Sequence, residues 1–271
     1  MANTDMPLLG YGTFPLKDQE ARSCALMALE LGYRHLDTAQ MYQNEADVGR
    51  AIAESGIARE KIFLTTKVHP GNYDDGDFAP SVRRSQDALM VDRVDLLLLH
   101  WPHPSLGMEA VLERLVAVQE AGQARTIGVS NFGPDDLARA QTIAGGKLAC
   151  NQIEIHPFVD QRPSVKASTD LGLKVTAYCP VARGKVLDDP TLQTIGKEHG
   201  RTPAQIAIAW LVQQGIAAIP MSRNRERARA NLESSTITLS DDEMRRIDDI
   251  ADPDGKLIDP PGLTPIWGRT N

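Results

Sequence analysis

Four side chains able to move or steady a proton stand where apolar runs end. Arg34-His35-Leu36-Asp37 delivers Asp37, and Tyr42 follows one short loop later. Ile62-Phe63-Leu64-Thr65-Thr66 runs into Lys67, and Asp95-Leu96-Leu97-Leu98-Leu99 runs into His100. Polar residues at the carboxyl ends of successive buried strands are how an α/β barrel builds its catalytic face. A phenol is a poor acid at neutral pH, with an ordinary pKa of about 10. An adjacent ammonium stabilises the phenolate and lowers that value. Lys67 supplies such a charge, Asp37 can hold Lys67 through an ion pair, and His100 can hydrogen-bond a carbonyl oxygen. Together they read as a set that protonates a carbonyl oxygen while another agent reduces its carbon. Taken singly, each also has a purely structural reading. Asp37 can cap a turn, Tyr42 can pack with its hydroxyl satisfied, Lys67 can be a solvated strand end, and His100 can be structural before Trp101-Pro102. The recurrence of strand-end placement is what favours the chemical reading.

The elements that must position these residues alternate along the chain. Pro7 to Thr13 is short and glycine-punctuated, and reads as a small N-terminal hairpin. Gln19 to Leu31 has helical spacing and ends at Gly32, as a C′ glycine should. Helices are expected over Glu45–Ser55, Ser81–Met90, Glu109–Ala121, from Pro134, over Ser164–Leu171 and from Ser222 towards Asn231, with a polar loop from His69 to Asp77. Thr202-Pro203-Ala204-Gln205 is a capping box opening a helix through Val212, and Ser240 to Glu243 caps another. Further strands are expected at Thr126–Asn131, Ala149–Ile155, Lys174–Cys179, Ala217–Pro220 and Thr236–Leu239, the last completing eight. Strands spaced by about thirty residues, each followed by a helix, fit a doubly wound sheet or a closed barrel, and eight in one uninterrupted run favour the (β/α)8 TIM barrel. Residues 1–271 are expected to form this single domain, with a loop tail from Asp252. A Rossmann fold is disfavoured because Gly10-Tyr11-Gly12 lacks the third glycine and opens no helix after a strand.

Composition narrows the partners. Thirty-six acidic residues against 29 basic ones give a net charge of −7, which argues against nucleic acid or an anionic membrane as main partner. Cys24, Cys150 and Cys179 are scattered and lack CxxC spacing, so neither a disulfide framework nor a metal site is expected. The start has no signal-peptide pattern, and no apolar run approaches the length of a membrane span. A cytoplasmic protein acting on a small molecule, as a monomer, is the expectation.

Leu36-Asp37-Thr38-Ala39 with Tyr42 and Asn44-Glu45, Thr66-Lys67, Leu99-His100-Trp101-Pro102, Gly128 to Phe132, Asn151-Gln152-Ile153-Glu154 and Ile219-Pro220 together resemble the aldo-keto reductases. The resemblance spans nearly the whole chain. It implies a TIM barrel, Tyr42 as general acid, Lys67 and Asp37 as its tuning pair, and His100 as the group that orients the carbonyl. It implies NADPH as cofactor, bound in extended form. Ser130, Asn131 and Gln152 would hold the nicotinamide carboxamide, Tyr178 would stack on its ring, and Gly12 and Thr13 would border the cofactor. Ser222, Arg223 and Arg227 would grip the adenosine 2′-phosphate, with Asn231 near adenine. Independently of the resemblance, Arg223, Arg225, Arg227 and Arg229 crowd a helix start where the macrodipole disfavours cations, and a bound anion would relieve that conflict.

The chain departs from the family pattern at several points. Met221 stands where the family usually has Lys after Ile-Pro, so NADH remains a possible cofactor unless Arg223 compensates. Ala230 replaces a frequent Glu, and Cys179-Pro180-Val181-Ala182 replaces Ser-Pro-Leu-Gly. Phe14 and His69 stand where many members have Trp, while Trp101 is retained and Trp267 in the tail can close the pocket. A smaller, more polar pocket favours short oxygenated carbonyl compounds. Leu36 to Tyr42, Ala51 to Gly56, and the ending Pro261-Gly262-Leu263 with Pro265 and Trp267 resemble short bacterial members that act on 2,5-diketo-D-gluconate and methylglyoxal. Two alternatives stay open: a non-catalytic NADPH-binding regulatory subunit of the same fold, and a barrel aldolase or isomerase with Lys67 as Schiff base.

Overall fold

A computed structural model describes residues 6–103, 105–252 and 255–260. Eight parallel strands lie in sequence order: β1 (Tyr11–Gly12), β2 (His35–Asp37), β3 (Phe63–Val68), β4 (Val94–Leu99), β5 (Ala124–Ser130), β6 (Leu148–Glu154), β7 (Lys174–Tyr178) and β8 (Ala217–Ala218). The first and last strands meet through a parallel bridge between Leu9 and Ala218. Gly10 N–H donates to the Ala218 carbonyl at 2.9 Å, and Ala218 N–H donates to that of Leu8 at 2.8 Å. The sheet therefore closes into the (β/α)8 barrel.

The outer helices among the described residues are α1 (Asp18–Leu31), α2 (Glu45–Glu54), α3 (Phe78–Leu89), α4 (Met108–Glu120), α5 (Pro134–Ile143) and α6 (Arg162–Asp170). They continue with α7 (Pro190–His199), α8 (Pro203–Gln213), α9 (Arg225–Glu233) and α10 (Asp241–Asp248). Their boundaries follow local chemistry. Gly32 adopts φ 109° and its N–H donates to Leu29 O, ending α1 as its sequence foretells. Thr202 and Ser240 each form the full capping box. The main core fills the space between sheet and helices, where Leu64, Leu97 and Leu99 meet Val111, Leu112 and Leu115. Phe63, Leu96, Leu98 and Cys150 form a separate cluster inside the barrel. No helix among the described residues is long and apolar enough to cross a membrane.

Two sequence expectations are corrected. Residues 7–13 form no hairpin: Tyr11 and Gly12 pair in parallel with Leu36 and Asp37, so this segment is the first barrel strand. Thr236–Leu239 is not a strand. Ser234–Thr236 is a 3-10 turn, and the Leu239 backbone is satisfied by one side chain, Gln213, which donates to its carbonyl at 2.9 Å and accepts its N–H at 2.8 Å. Helix α3 also begins earlier than expected, at Phe78, and the polar loop before it holds a 3-10 turn at Pro70–Asn72.

His35 ties stability to pH. It is fully buried beneath the site, its Nε2 is 3.1 Å from Thr65 Oγ1, and burial pushes its pKa down to about 4. The folded state thus favours neutral imidazole, and the unfolded chain takes up the extra proton as pH falls below about 6.5. The stability contribution is complete above that pH and is lost on acidification towards pH 4, about 3 kcal/mol in all. Urea unfolding of wild type and His35→Gln at pH 7 and 4.5 checks this. The gap between the two proteins should shrink by about 2 kcal/mol at the lower pH; an equal gap would show that His35 does not titrate on unfolding.

Candidate active site

The four strand-end residues converge. Asp37 ends β2, Tyr42 ends a 3-10 turn at Gln40–Tyr42, Lys67 lies one residue before the end of β3, and His100 directly follows β4. Lys67 is buried, and its Nζ donates to Asp37 Oδ1 at 2.5 Å, to the Thr38 carbonyl at 2.9 Å and to the Tyr42 hydroxyl at 3.3 Å. An ammonium has three hydrogens and here each has an acceptor. Because the Tyr42 oxygen accepts from Lys67, the phenol's own hydrogen is left to donate elsewhere. The His100 ring stands edge-on to that of Tyr42, with centroids 5.6 Å apart.

The charges agree with this arrangement. Burial raises the Tyr42 pKa above its ordinary value, and the Lys67 ammonium opposes the rise without cancelling it. The lowering expected from Lys67 is thus present but outweighed, because the hydroxyl end of the side chain lies deep in the protein. Burial works against the Lys67 ammonium, but Asp37 and Tyr42 outweigh it and hold its pKa above the ordinary value. Burial, then the charge of Lys67, then His69 push His100 well below the ordinary histidine value, so it is neutral at pH 7. Its Nδ1 has no partner among the described residues.

A hydrogen-bonded chain extends this cluster across the barrel mouth. Gln152, on β6, donates to Asp37 Oδ2 at 2.8 Å. Ser130 Oγ donates to the Gln152 carbonyl at 2.7 Å, and Asn131 Nδ2 lies 3.1 Å from both Ser130 Oγ and the His100 carbonyl. The Tyr178 hydroxyl donates to Asn131 Oδ1 at 2.8 Å. Gln43, Asn131 and Cys179 each follow a residue of this set and each have left-handed backbone, with φ 56°, 65° and 54°. Such conformations are uncommon outside glycine and cluster where structure is held for function. Here they turn the chain sharply away immediately after Tyr42, Ser130 and Tyr178.

A second group lies at the start of α9. Asn224 caps the helix by accepting the Arg227 N–H at 2.9 Å, and Ser222 Oγ accepts the Asn224 N–H at 3.2 Å. The Ser222 carbonyl accepts from the Tyr11 hydroxyl at 2.6 Å. Arg223 pairs with Glu20 and Arg225 with Glu30, each at 2.7 Å, so α1 already balances two of the four crowded arginines. The guanidinium of Arg227 has no carboxylate partner among the described residues. Asn231 is buried on the same helix, and Met221 packs against the main core.

The remaining expected residues divide. Gly12 is required by close approach, since a Cβ there would lie 2.7 Å from the Ile219 carbonyl oxygen. Thr13 is buried, and its hydroxyl donates to the Asp37 carbonyl. Phe14 packs 5.1 Å from the Tyr42 ring yet is 55% exposed, forming an open wall. His69 is half-buried beside the site. Trp101 is buried, and its carbonyl accepts from the Tyr73 hydroxyl at 2.9 Å. Trp267 lies outside the described residues.

Sequence reasoning passed over Gln40 and left Glu154 without a role. Gln40 Oε1 accepts from His69 N–H at 2.8 Å and Asn72 Nδ2 at 2.9 Å, while its Nε2 donates to Ser81 and Ser85. It joins the turn carrying Tyr42 to the loop carrying His69. Glu154 accepts from His156 and from the backbone N–H groups of Leu257 and Ile258, which docks the tail against β6. Both residues stand within the strand-end runs, but spacing alone does not show which distant backbone they reach.

Known proteins share this architecture. The profile of the Aldo/keto reductase family matches residues 8–252. A methylglyoxal reductase DkgB of Yersinia pestis is 39% identical over 265 residues, covering 97% of this chain and 99% of that protein. A crystal structure designated 2,5-diketo-D-gluconic acid reductase B superposes with a TM-score of 0.96 at 41% identity, covering 98% of this chain and 95% of the other. An aldo-keto reductase of Bombyx mori in complex with NADP gives 0.85 at 31% identity, with coverages of 91% and 89%. With the barrel, the strand-end residues and these likenesses in agreement, the chain belongs to the aldo/keto reductase family of oxidoreductases.

Proposed function

We propose that the protein reduces small carbonyl compounds to alcohols with NADPH, taking 2-oxoaldehydes such as methylglyoxal, diketo sugar acids such as 2,5-diketo-D-gluconate, and simple aldehydes, with Tyr42 as general acid. The observation that carries this reading is the complete engagement of the Lys67 ammonium, one hydrogen of which goes to the Tyr42 oxygen. Its raised pKa keeps Tyr42 protonated at neutral pH, as a proton donor must be. As the proton leaves, Lys67 is already placed to stabilise the phenolate, and Asp37 holds Lys67 in position. Neutral His100 donates a hydrogen bond to the carbonyl oxygen and orients it towards Tyr42.

The residues suit a dinucleotide phosphate. Polar groups of Ser130, Asn131 and Gln152 lie in one network with the Tyr178 ring, in keeping with a carboxamide-bearing ring at the barrel mouth. When bound, the dinucleotide supplies reducing equivalents to the carbonyl carbon. Ser222 and the guanidinium of Arg227, which has no carboxylate partner among the described residues, would meet its 2′-phosphate at the amino end of α9, with Asn231 near the base. Arg223 would have to leave Glu20 to join them. Three unpaired cysteines support a reducing, cytoplasmic setting, and a monomer suffices because all these residues come from one chain.

Oxidation of NADPH, beside NADH, with methylglyoxal, 2,5-diketo-D-gluconate and an aromatic aldehyde tests the reading; binding of NADPH without turnover would refute it. Arg227→Ala should raise the KM for NADPH by on the order of tenfold, the value of a charge-assisted contact, and leave that for NADH within about twofold. Equal effects on both cofactors would place the phosphate elsewhere.

A further inference from the structure

His69 follows the last residue of β3 and remains in extended backbone, with φ −68° and ψ 137°. Side chains alternate between the faces of a strand, so residues 63, 65, 67 and 69 share one side. Phe63 belongs to the cluster inside the barrel and Lys67 is the site ammonium, so His69 is the next step up that inward-facing row. On the neighbouring strand, Leu96 and Leu98 point inward and His100 follows them. Val68 pairs with Leu99, and His100 N–H donates to the Val68 carbonyl at 3.2 Å. This register sets the two histidines side by side at the rim.

The loop fixes both the position and the hydrogen of His69. Its N–H is held by Gln40, in the turn that carries Tyr42. Further along, Asn72 bonds the same Gln40 oxygen, and Arg114 holds the Tyr73 carbonyl at 2.7 Å. Within the ring, Nδ1 accepts the Gly71 N–H at 2.9 Å, so that nitrogen carries no hydrogen in the neutral ring. The ring hydrogen is therefore on Nε2, and no described residue accepts it.

We propose that His69 is a specificity-determining residue for carbonyl reduction. Its Nε2–H is a second hydrogen-bond donor beside His100, and it selects compounds carrying another oxygen on the carbon next to the reacting carbonyl: 2-oxoaldehydes and 2-oxo acids. The inference rests on the reductase reading. A vicinal dioxygen substrate reaches both donors at once, one oxygen on His100 and Tyr42 and the other on His69. A plain aldehyde leaves Nε2–H to water, and because the ring is only half-buried that loss is moderate, about tenfold and far from the rejection produced by a sealed polar pocket.

The test compares kcat/KM for methylglyoxal and propanal, with NADPH, in wild type, His69→Phe, His69→Ala and His69→Gln. These substrates share a three-carbon skeleton and differ in the second oxygen. The methylglyoxal-to-propanal ratio should fall about tenfold in His69→Phe and His69→Ala, chiefly through the KM for methylglyoxal, and recover in His69→Gln, which again offers a donor. A ratio that stays at the wild-type value in both donor-free variants, whatever happens to the absolute rates, overturns the role of His69 and leaves the reductase reading intact. Wild type that oxidises NADPH with neither compound, nor with any other carbonyl tried, overturns both.

Discussion

Tyr42→Phe should lower kcat for carbonyl reduction by about 10²–10⁴-fold, the usual contribution of a positioned general acid. The substitution deletes one oxygen and keeps the ring that packs against Phe14 and His100. The pocket therefore retains its wall, and NADPH affinity, measured by fluorescence titration without substrate, should change by less than about threefold, because only the phenol oxygen is lost. What disappears is the proton donor and the acceptor of the third Lys67 hydrogen. That hydrogen loses its acceptor, while the two on Asp37 and the Thr38 carbonyl keep theirs. Single-turnover reduction of methylglyoxal separates the chemical step from product release. A variant that keeps kcat within about threefold would remove Tyr42 from the proton transfer, since a positioned acid is worth far more than that.

Much of this arrangement is legible in the chain because it is specified locally. Apolar runs ending in Asp37, Lys67 and His100 mark strands whose carboxyl ends form one face, and Gly32 with the capping boxes at Thr202 and Ser240 punctuate the helices. What the sequence conceals depends on partners remote along the chain. Tyr11-Gly12 is too short to announce a strand, and becomes one because β2 and residues beyond β8 hold its two sides. Thr236-Ile237-Thr238-Leu239 has the β-branched composition of a strand, but the Gln213 amide takes the hydrogen bonds that a neighbouring strand would need. Helix α7 did carry a local signature: Asp189 caps it by accepting the Leu192 N–H, Pro190 opens it, and Gly200 ends it in left-handed backbone. The site divides in the same way. Its proton-handling residues announce themselves by type and placement, whereas pairing of Arg223 with Glu20 and of Gln152 with Asp37 joins residues 203 and 115 positions apart.

Lys67→Met should cost both stability and activity, and the two losses can be separated. The Lys67–Asp37 pair is 1% exposed on both sides, so removing the ammonium strands a carboxylate whose remaining side-chain partner is the Gln152 amide. Breaking a buried pair from one side typically costs about 3–5 kcal/mol, because the other charge stays behind uncompensated. The Thr38 carbonyl loses its donor as well. Adding Asp37→Asn to Lys67→Met removes the stranded charge and keeps an amide of the same shape, so most of that stability should return in urea unfolding. Activity should not return with it. Stabilisation of the forming phenolate comes from the ammonium, and loss of such a preorganised charge lowers kcat by about 10²–10³-fold. The double variant is therefore expected to be folded and to bind NADPH, yet to remain nearly as slow as Lys67→Met. If charge neutralisation alone restored turnover, Lys67 would serve only to balance Asp37, and the electrostatic support of Tyr42 would have to come from another group.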